Sequence, residues 1–339
     1  MTEYKDILDF FHGNIKIPQF DKLTASYARK LQSQLTKPKY SLGKLEDFAV
    51  WMSGWQKKMN PTSENVECLI FAGNHGISHK GVSAYPSEVT SQMVENFKNG
   101  GAAINQLCNL ANINLKVVPI KLEKPTKDFS EVKAMDYNET IYAMQLGYNS
   151  VPKNCDLLIL GEMGISNTTS ASAISCALFN DMSIEESTGL GTGISKKTLE
   201  NKISVIRTGL KLHGKKFDRV DQILSAYAGR EMAAIVGSVI AARVIGIPVL
   251  LDGFISTASA ATLILFKKNI LDHCLISHLS SEPGHIGILK HLKKKPILDL
   301  DMRLGEGSGG AVASLVLQAS LVTHNKMATF SEAGVSSKI

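Results

Sequence analysis

Short apolar runs alternate with helical stretches over most of the chain, and this alternation begins after Pro61. Six runs stand out: Cys68 to Ala72, Leu115 to Ile120, Asp156 to Leu160, Ile247 to Leu251, Cys274 to Ser277 and Ile297 to Met302. Strands covered on both faces read as continuous apolar runs, so the pattern predicts an α/β fold with a parallel sheet flanked by helices. Before Pro61 the period differs. Leu42, Leu45, Phe48, Met52 and Trp55 recur at steps of three and four, which is one face of a helix, and Ser41 stands where an N-cap belongs. A last apolar helix, Ala311 to Val322, is expected to fold back against the N-terminal helices.

Open parallel sheets place ligands at the carboxyl ends of their strands. Here those ends are rich in chemistry: Gly73-Asn74-His75-Gly76, Gly161-Glu162-Met163-Gly164, Asp252-Gly253, His278 with Glu282 close behind, and Gly305-Glu306-Gly307. One edge of the sheet is therefore the expected site. The segment Gly161 to Ser170 runs from a strand into a helix, and its glycines and hydroxyls precede a row of free helix N–H groups, which suits a phosphate. Gly189 to Gly193 is a second glycine loop, followed by Lys202 and Arg207, either of which could bring positive charge to the phosphate.

Gly305 to Gly310 fits the spacing of a dinucleotide-binding loop. A carboxylate inside that loop would repel a pyrophosphate, and too little chain follows to complete the unit. A glycine-flanked acid at a strand tip is better suited to general-base work, where partial burial raises its pKa into the useful range. Glu185 and Glu186 superficially match the acidic pair of diphosphate-dependent phosphoribosyltransferases but do not follow a β-branched strand. His75 and His79 have the spacing of helical metal ligands, yet Gly76 and Gly81 oppose a helix there, and no metal site is expected. The loop between His278 and His285 reads as substrate-binding. Motifs of nucleoside triphosphatases and serine hydrolases are absent from the sequence.

Composition narrows the classes further. The 339 residues carry 37 Lys and Arg against 31 Asp and Glu, and basic doublets are scattered, so no nucleic-acid partner is expected. The charge-free windows Met163 to Asn180 and Gly307 to Thr323 are rich in Ser, Thr, Asn and Gly, which argues against a membrane span. Five cysteines, none in a C-x-x-C spacing, read as reduced core thiols, and the acidic start of the chain does not resemble an export signal. A cytoplasmic protein is expected.

Several segments in one order, Phe71 to Gly76, Gly81 to Thr90, Asn99 to Asn105, Gly161 to Thr169, Gly191 to Gly193, Gly229 to Glu231, Pro248 to Gly253, Ser277 to His285 and Leu304 to Gly307, resemble nicotinate-nucleotide:dimethylbenzimidazole phosphoribosyltransferases. The resemblance covers residues from about 38 to 335. It implies a homodimer with a Rossmann-like sheet in a large α/β domain over 61–311. It further implies a small helical domain, 1–60 plus 312–339, built from both chain ends. It also implies transfer of the 5-phosphoribosyl group of nicotinate mononucleotide to 5,6-dimethylbenzimidazole, with inversion and without a cofactor.

By the same resemblance Glu306 is the catalytic base and Glu162 a second carboxyl of the site. Gly164, Ser166, Asn167, Thr168, Gly191, Thr192, Gly193 and Lys202 bind the nucleotide and its phosphate, with Ser277 and Glu282 beside them. Tyr85, Met93, Met163 and Leu304 bound the benzimidazole pocket. Ser166 stands where the family usually has Gly, and Leu190 where Arg is common. The first adds a hydroxyl and the second removes a charge. A dehydrogenase using the Gly305 loop and a nucleotide sensor without turnover are the competing readings; paired acids at Glu162 and Glu306 argue against the sensor.

Overall fold

A computed structural model describes residues 4–336 apart from Thr192. All six apolar runs are strands: β1 (Val66–Ala72), β2 (Ile113–Pro119), β3 (Leu157–Met163), β4 (Val249–Leu251), β5 (Cys274–His278) and β6 (Pro296–Leu298). They form one parallel sheet in the order β2-β1-β3-β4-β5-β6. The chain steps outward from β1 to β2 and then returns to β3 on the other side, so the order reverses between β1 and β3. Loops leaving neighbouring strands at such a reversal diverge and open a crevice.

Alternation within the strands builds a core on each face. Leu69, Phe71, Leu158 and Leu160 face the larger core, with the helices Tyr137–Ser150, Asn167–Leu178 and Arg230–Ile245. Cys68, Ile70, Leu157, Ile159 and Leu250 face a smaller one, covered by the helices Lys44–Gln56, Ala103–Ala111 and Ser308–Lys326. The register of β3 on β1 pairs Glu162 with Phe71, so a carboxyl continues the row of Leu158 and Leu160 at the strand's end.

The helix Ser308–Lys326 starts at the site edge and returns to the N-terminal helices. Ser320 Oγ donates to the Leu45 carbonyl at 2.5 Å, His324 meets Gln32 at 2.8 Å, and Asn325 donates to the Pro61 carbonyl at 2.8 Å. Two local expectations need adjusting. The helix bearing Phe48 and Met52 begins at Lys44 with Gly43 as N-cap, not at Ser41. Glu46 reaches back to the Leu42 N–H and also pairs with Lys37, taking the capping role from the serine. The last strand stops at Leu298, and the chain beyond it, with Asp301 in the left-handed region at φ +53°, stays beside the segment after β5 through the Met302 carbonyl, which accepts from Ser281 N–H at 3.2 Å.

One backbone contact fixes the site's depth. A Cβ added to Gly161 would lie 2.4 Å from the Gly307 nitrogen and 2.6 Å from its Cα, so the strand and the loop touch main chain to main chain. Gly161→Ala is expected to cost about 1–3 kcal/mol by overpacking. A urea titration by circular dichroism should show the lowered midpoint; an unshifted midpoint would show that the contact yields easily.

Candidate active site

The loop from Gly305 to Gly307 contains three consecutive left-handed residues: φ is +82° at Gly305, +62° at Glu306 and +77° at Gly307. Glycine accepts this geometry freely, but at Glu306 it stores strain of roughly 1–3 kcal/mol. Hydrogen bonds overdetermine the loop. Glu306 N–H donates to the Glu162 carbonyl at 3.2 Å, and Ser308 Oγ donates to the Gly305 carbonyl at 2.7 Å. Asp252, buried at the end of β4, accepts from Gly307 N–H and Gly310 N–H, each at 3.0 Å. Those donors are free at the start of the helix Ser308–Lys326, where the helix dipole also favours a carboxylate.

Three carboxyls thus meet in a poorly hydrated edge. Burial, followed by the neighbouring charges of Asp252 and Glu231, pushes Glu162 well above the usual carboxyl range, although its Oε2 accepts from Asn167 Nδ2. Glu306 is pushed up to about 7, first by burial and then by Asp252. No side-chain hydrogen bond to its carboxyl is found among the described residues, which leaves it able to accept a proton. Burial also raises Asp252, against the pull of His278 and the helix N–H groups.

The other end of the site is cationic. Ser166 caps the helix Asn167–Leu178 in the left-handed region at φ +76°, which accounts in backbone terms for glycine being at home there. Its buried Oγ has no hydrogen-bond partner among the described residues. Lys202 reaches in from the helix Lys196–His213. Its Nζ donates to Thr168 Oγ1 at 2.9 Å and to the Gly189 carbonyl at 3.2 Å, and burial pulls its pKa down to about 8. Gly191 N–H is held by Glu282 Oε1 at 2.7 Å. A helix N-terminus, two hydroxyls and a buried ammonium are groups of the kind that hold an anion.

A cleft joins the two ends. Its walls include Glu162, Met163, Gly164, Asn167, Thr168, Gly191, Asp252, Glu282 and Leu304, all from the carboxyl edge of the sheet. The chain matches the family model described as phosphoribosyltransferase over residues 17–335. The nicotinate-nucleotide–dimethylbenzimidazole phosphoribosyltransferase of Mesorhizobium japonicum is 47% identical over 99% of each chain. The protein of that name from Ruegeria pomeroyi is 45% identical over 99% of this chain and 97% of its own. The crystal structure of CobT from Thermus thermophilus superposes with a TM-score of 0.86 at 34% identity, covering 93% of this chain and 99% of the other. This chain belongs to the nicotinate-nucleotide–dimethylbenzimidazole phosphoribosyltransferase family.

Within this phosphoribosyltransferase the expected site residues are distributed unevenly. Ser166 and Lys202 stand just behind the cleft wall, and Glu306 follows the wall residues Leu304 and Gly305 with 5% of its surface exposed. Ser277, at the end of β5, is buried with its Oγ unpartnered among the described residues. Gly193 lies in an open turn at φ +113°, and Thr192 lies outside the described residues. Tyr85 is half exposed before the helix Glu88–Lys98, and Met93 packs from that helix against the smaller core; neither is among the residues lining the cleft.

Arg207 points elsewhere, to an exposed pair with Glu185, so Lys202 is the cation that the fold delivers. His75 and His79 also part: the first is buried against Glu231, and the second joins Asp128 and Glu131, where Lys80 already pairs with both acids. Phe254 and Arg303 line the cleft outside the segments expected to form it, while Asp252, His278 and Ser280 line it from within those segments without an assigned role. Asp252 had a signal, an acid directly after a strand. No helix among the described residues is long and apolar enough to cross a membrane.

The raised Glu306 pKa carries a stability cost with a definite sign. Below the ordinary value of 4.5 the carboxyl is protonated in both folded and unfolded chains; above about 7 the folded state bears the full penalty of a buried charge. Glu306→Gln is therefore expected to melt at a higher temperature than the wild type at pH 8, with the gap closing as pH falls from 7 toward 4.5. Scanning calorimetry across that range checks it, and a pH-independent gap would contradict the burial penalty.

Proposed function

We propose that the protein transfers the 5-phosphoribosyl group of nicotinate mononucleotide to 5,6-dimethylbenzimidazole, giving nicotinate and α-ribazole 5′-phosphate for cobalamin synthesis or salvage. The observation that carries the reading is the placement of Glu306. A strained carboxyl whose pKa is raised to about 7 stands at the sheet edge that also holds the helix terminus and Lys202. The donor phosphate sits against Gly164, Ser166, Asn167 and Thr168, with Gly191 and Lys202 closing over it. Met163 and Leu304, on the cleft wall, flank the flat acceptor.

The pyridinium of the donor is already cationic, so it leaves with the electron pair of its bond to the anomeric carbon and needs no general acid. A benzimidazole ring nitrogen uses its lone pair to form the new bond from the opposite face, which inverts the anomeric centre. The proton on the other ring nitrogen passes to the Glu306 carboxylate. Glu162, which burial and neighbouring acids raise well above the usual carboxyl range, is the member of the pair that favours its proton and can donate a hydrogen bond. Pairs of carboxyls pushed to different pKa values divide acid and base roles in this way. The family resemblance supports a cytoplasmic homodimer, and with it a small helical unit formed by the two chain ends.

Purified protein given nicotinate mononucleotide and dimethylbenzimidazole should release nicotinate and form the α-nucleotide in equal amounts by chromatography. Binding of the donor without either product would replace the transferase by a nucleotide sensor. Glu306→Gln should slow turnover roughly a hundred- to ten-thousand-fold, the range for lost general-base catalysis, and leave donor binding intact. In the wild type kcat should rise with pH through about 7 as Glu306 loses its proton. Lys202→Met should raise the donor KM about ten- to a hundredfold, the loss of one charge-assisted contact, with a smaller change in kcat. Steady-state kinetics resolves both.

A further inference from the structure

Two of the glycine-bounded segments seen in the sequence, Phe71 to Gly76 and Gly229 to Glu231, meet behind the cleft. His75 follows β1, and Glu231 lies in the first turn of the helix Arg230–Ile245; their side chains are 2% and 0% exposed. His75 Nε2 lies 2.6 Å from Glu231 Oε1, and its Nδ1 lies 3.1 Å from Ser170 Oγ in the helix Asn167–Leu178. Backbone walls the pair in. A Cβ on either Gly73 or Gly229 would fall 2.3 Å from Glu231 Oε2.

The pair touches the catalytic edge through one residue's thickness. A Cβ on Gly164 would lie 3.3 Å from His75 Nε2 and 3.4 Å from Asn167 Nδ2. That Asn167 amide holds Glu162 Oε2, and the space left by Gly305 receives Glu162 Oε1, which a Cβ there would approach to 2.7 Å. Glu231 thus holds His75, and only the space kept open by Gly164 separates the His75 ring from the Asn167 amide that holds Glu162. Glu231 Oε2 is buried without a hydrogen-bond partner among the described residues, so its charge is not fully compensated by the imidazole.

We propose that His75 and Glu231 are positioning residues that set the orientation and protonation of Glu162. His75 braces Ser170 and Gly164, so that Asn167 keeps the carboxyl against Gly305. Glu231 supplies negative charge from behind and holds Glu162 as the neutral partner of Glu306. The other charged or titratable groups facing Glu162 are Asp252 from β4, with His278 beside it, and Glu306 from the opposing loop. Of these, only Glu231 bears on Glu162 without itself lining or adjoining the cleft wall. The kinetic part rests on the transferase reading; the protonation part does not.

The test is Glu231→Gln, which keeps size and hydrogen bonding but removes the charge. In substrate-free protein the infrared carbonyl stretch of protonated Glu162, assigned by its loss in Glu162→Gln, is followed against pH. Its titration midpoint should fall by roughly one pH unit or more, the effect of removing a nearby like charge. With nicotinate mononucleotide and dimethylbenzimidazole, kcat should fall about tenfold while the donor KM changes less than threefold, and Glu231→Asp should recover part of the loss. An unmoved midpoint in folded Glu231→Gln overturns the proposal, as does a kcat loss that merely follows the loss of Tm across these variants. If Glu231→Gln does not fold, Ser170→Ala removes the brace and leaves the ion pair; unchanged kcat there also overturns it. A wild type that releases no nicotinate defeats the transferase reading, and the infrared shift still decides the role of Glu231.

Discussion

The Asp252 carboxylate and the first N–H groups of the helix Ser308–Lys326 form the joint on which the cleft is built. One oxygen accepts from Gly307 and the other from Gly310, so the helix can begin at only one place relative to β4. That start presses Gly307 onto Gly161 of the neighbouring β3 and brings the Glu306 N–H to the Glu162 carbonyl. A carboxylate is well chosen for the task. It satisfies two donors of the helix end and gains from the helix dipole, which offsets part of its desolvation. The same charge then adds to burial in raising Glu306 and Glu162, so one residue sets the geometry of the edge and contributes to its proton affinity.

Crowding acids in this way opposes stability, and the fold accepts the cost locally. Glu162, Glu231, Asp252 and Glu306 are all buried, and Glu306 is also strained. Both faces of the sheet carry continuous apolar cores, which supply the surplus that a reactive edge consumes. Lys202 is the counterpart at the other end. Its ammonium is kept out of water and loses some proton affinity, yet two neutral oxygens hold it in place.

The sheet was readable because strands buried on both faces leave unbroken apolar runs, and all six appear where those runs lie. The site edge was readable for a related reason: glycines and polar residues directly after such runs have few structural uses. What stayed hidden depends on packing between distant segments. Lys202 and Arg207 were equivalent candidates along the chain, but five residues on a helix turn the side chain by about 500°. One therefore enters the site while the other pairs with Glu185 in solvent. Asp252 was visible as an acid after a strand, but its partners begin 55 residues later. His75 looked like half of a local pair with His79, whereas its partner is Glu231, 156 residues away.

Ser166 and Glu306 show how backbone conformation and chemistry are joined here. Each is a non-glycine residue in the left-handed region, each adjoins the start of a helix, and each puts a polar atom beside the cleft. Glycine would relieve the strain at either position but would remove that atom. The serine adds a hydroxyl, unpartnered among the described residues, to an edge that already has a helix terminus and a lysine. Glu306 is free of the contacts that its neighbours make: Glu162 accepts from Asn167, and Asp252 from the helix N–H groups. The carboxyl left without a protein partner is the one held in the strained conformation, and that combination keeps it available to a substrate proton.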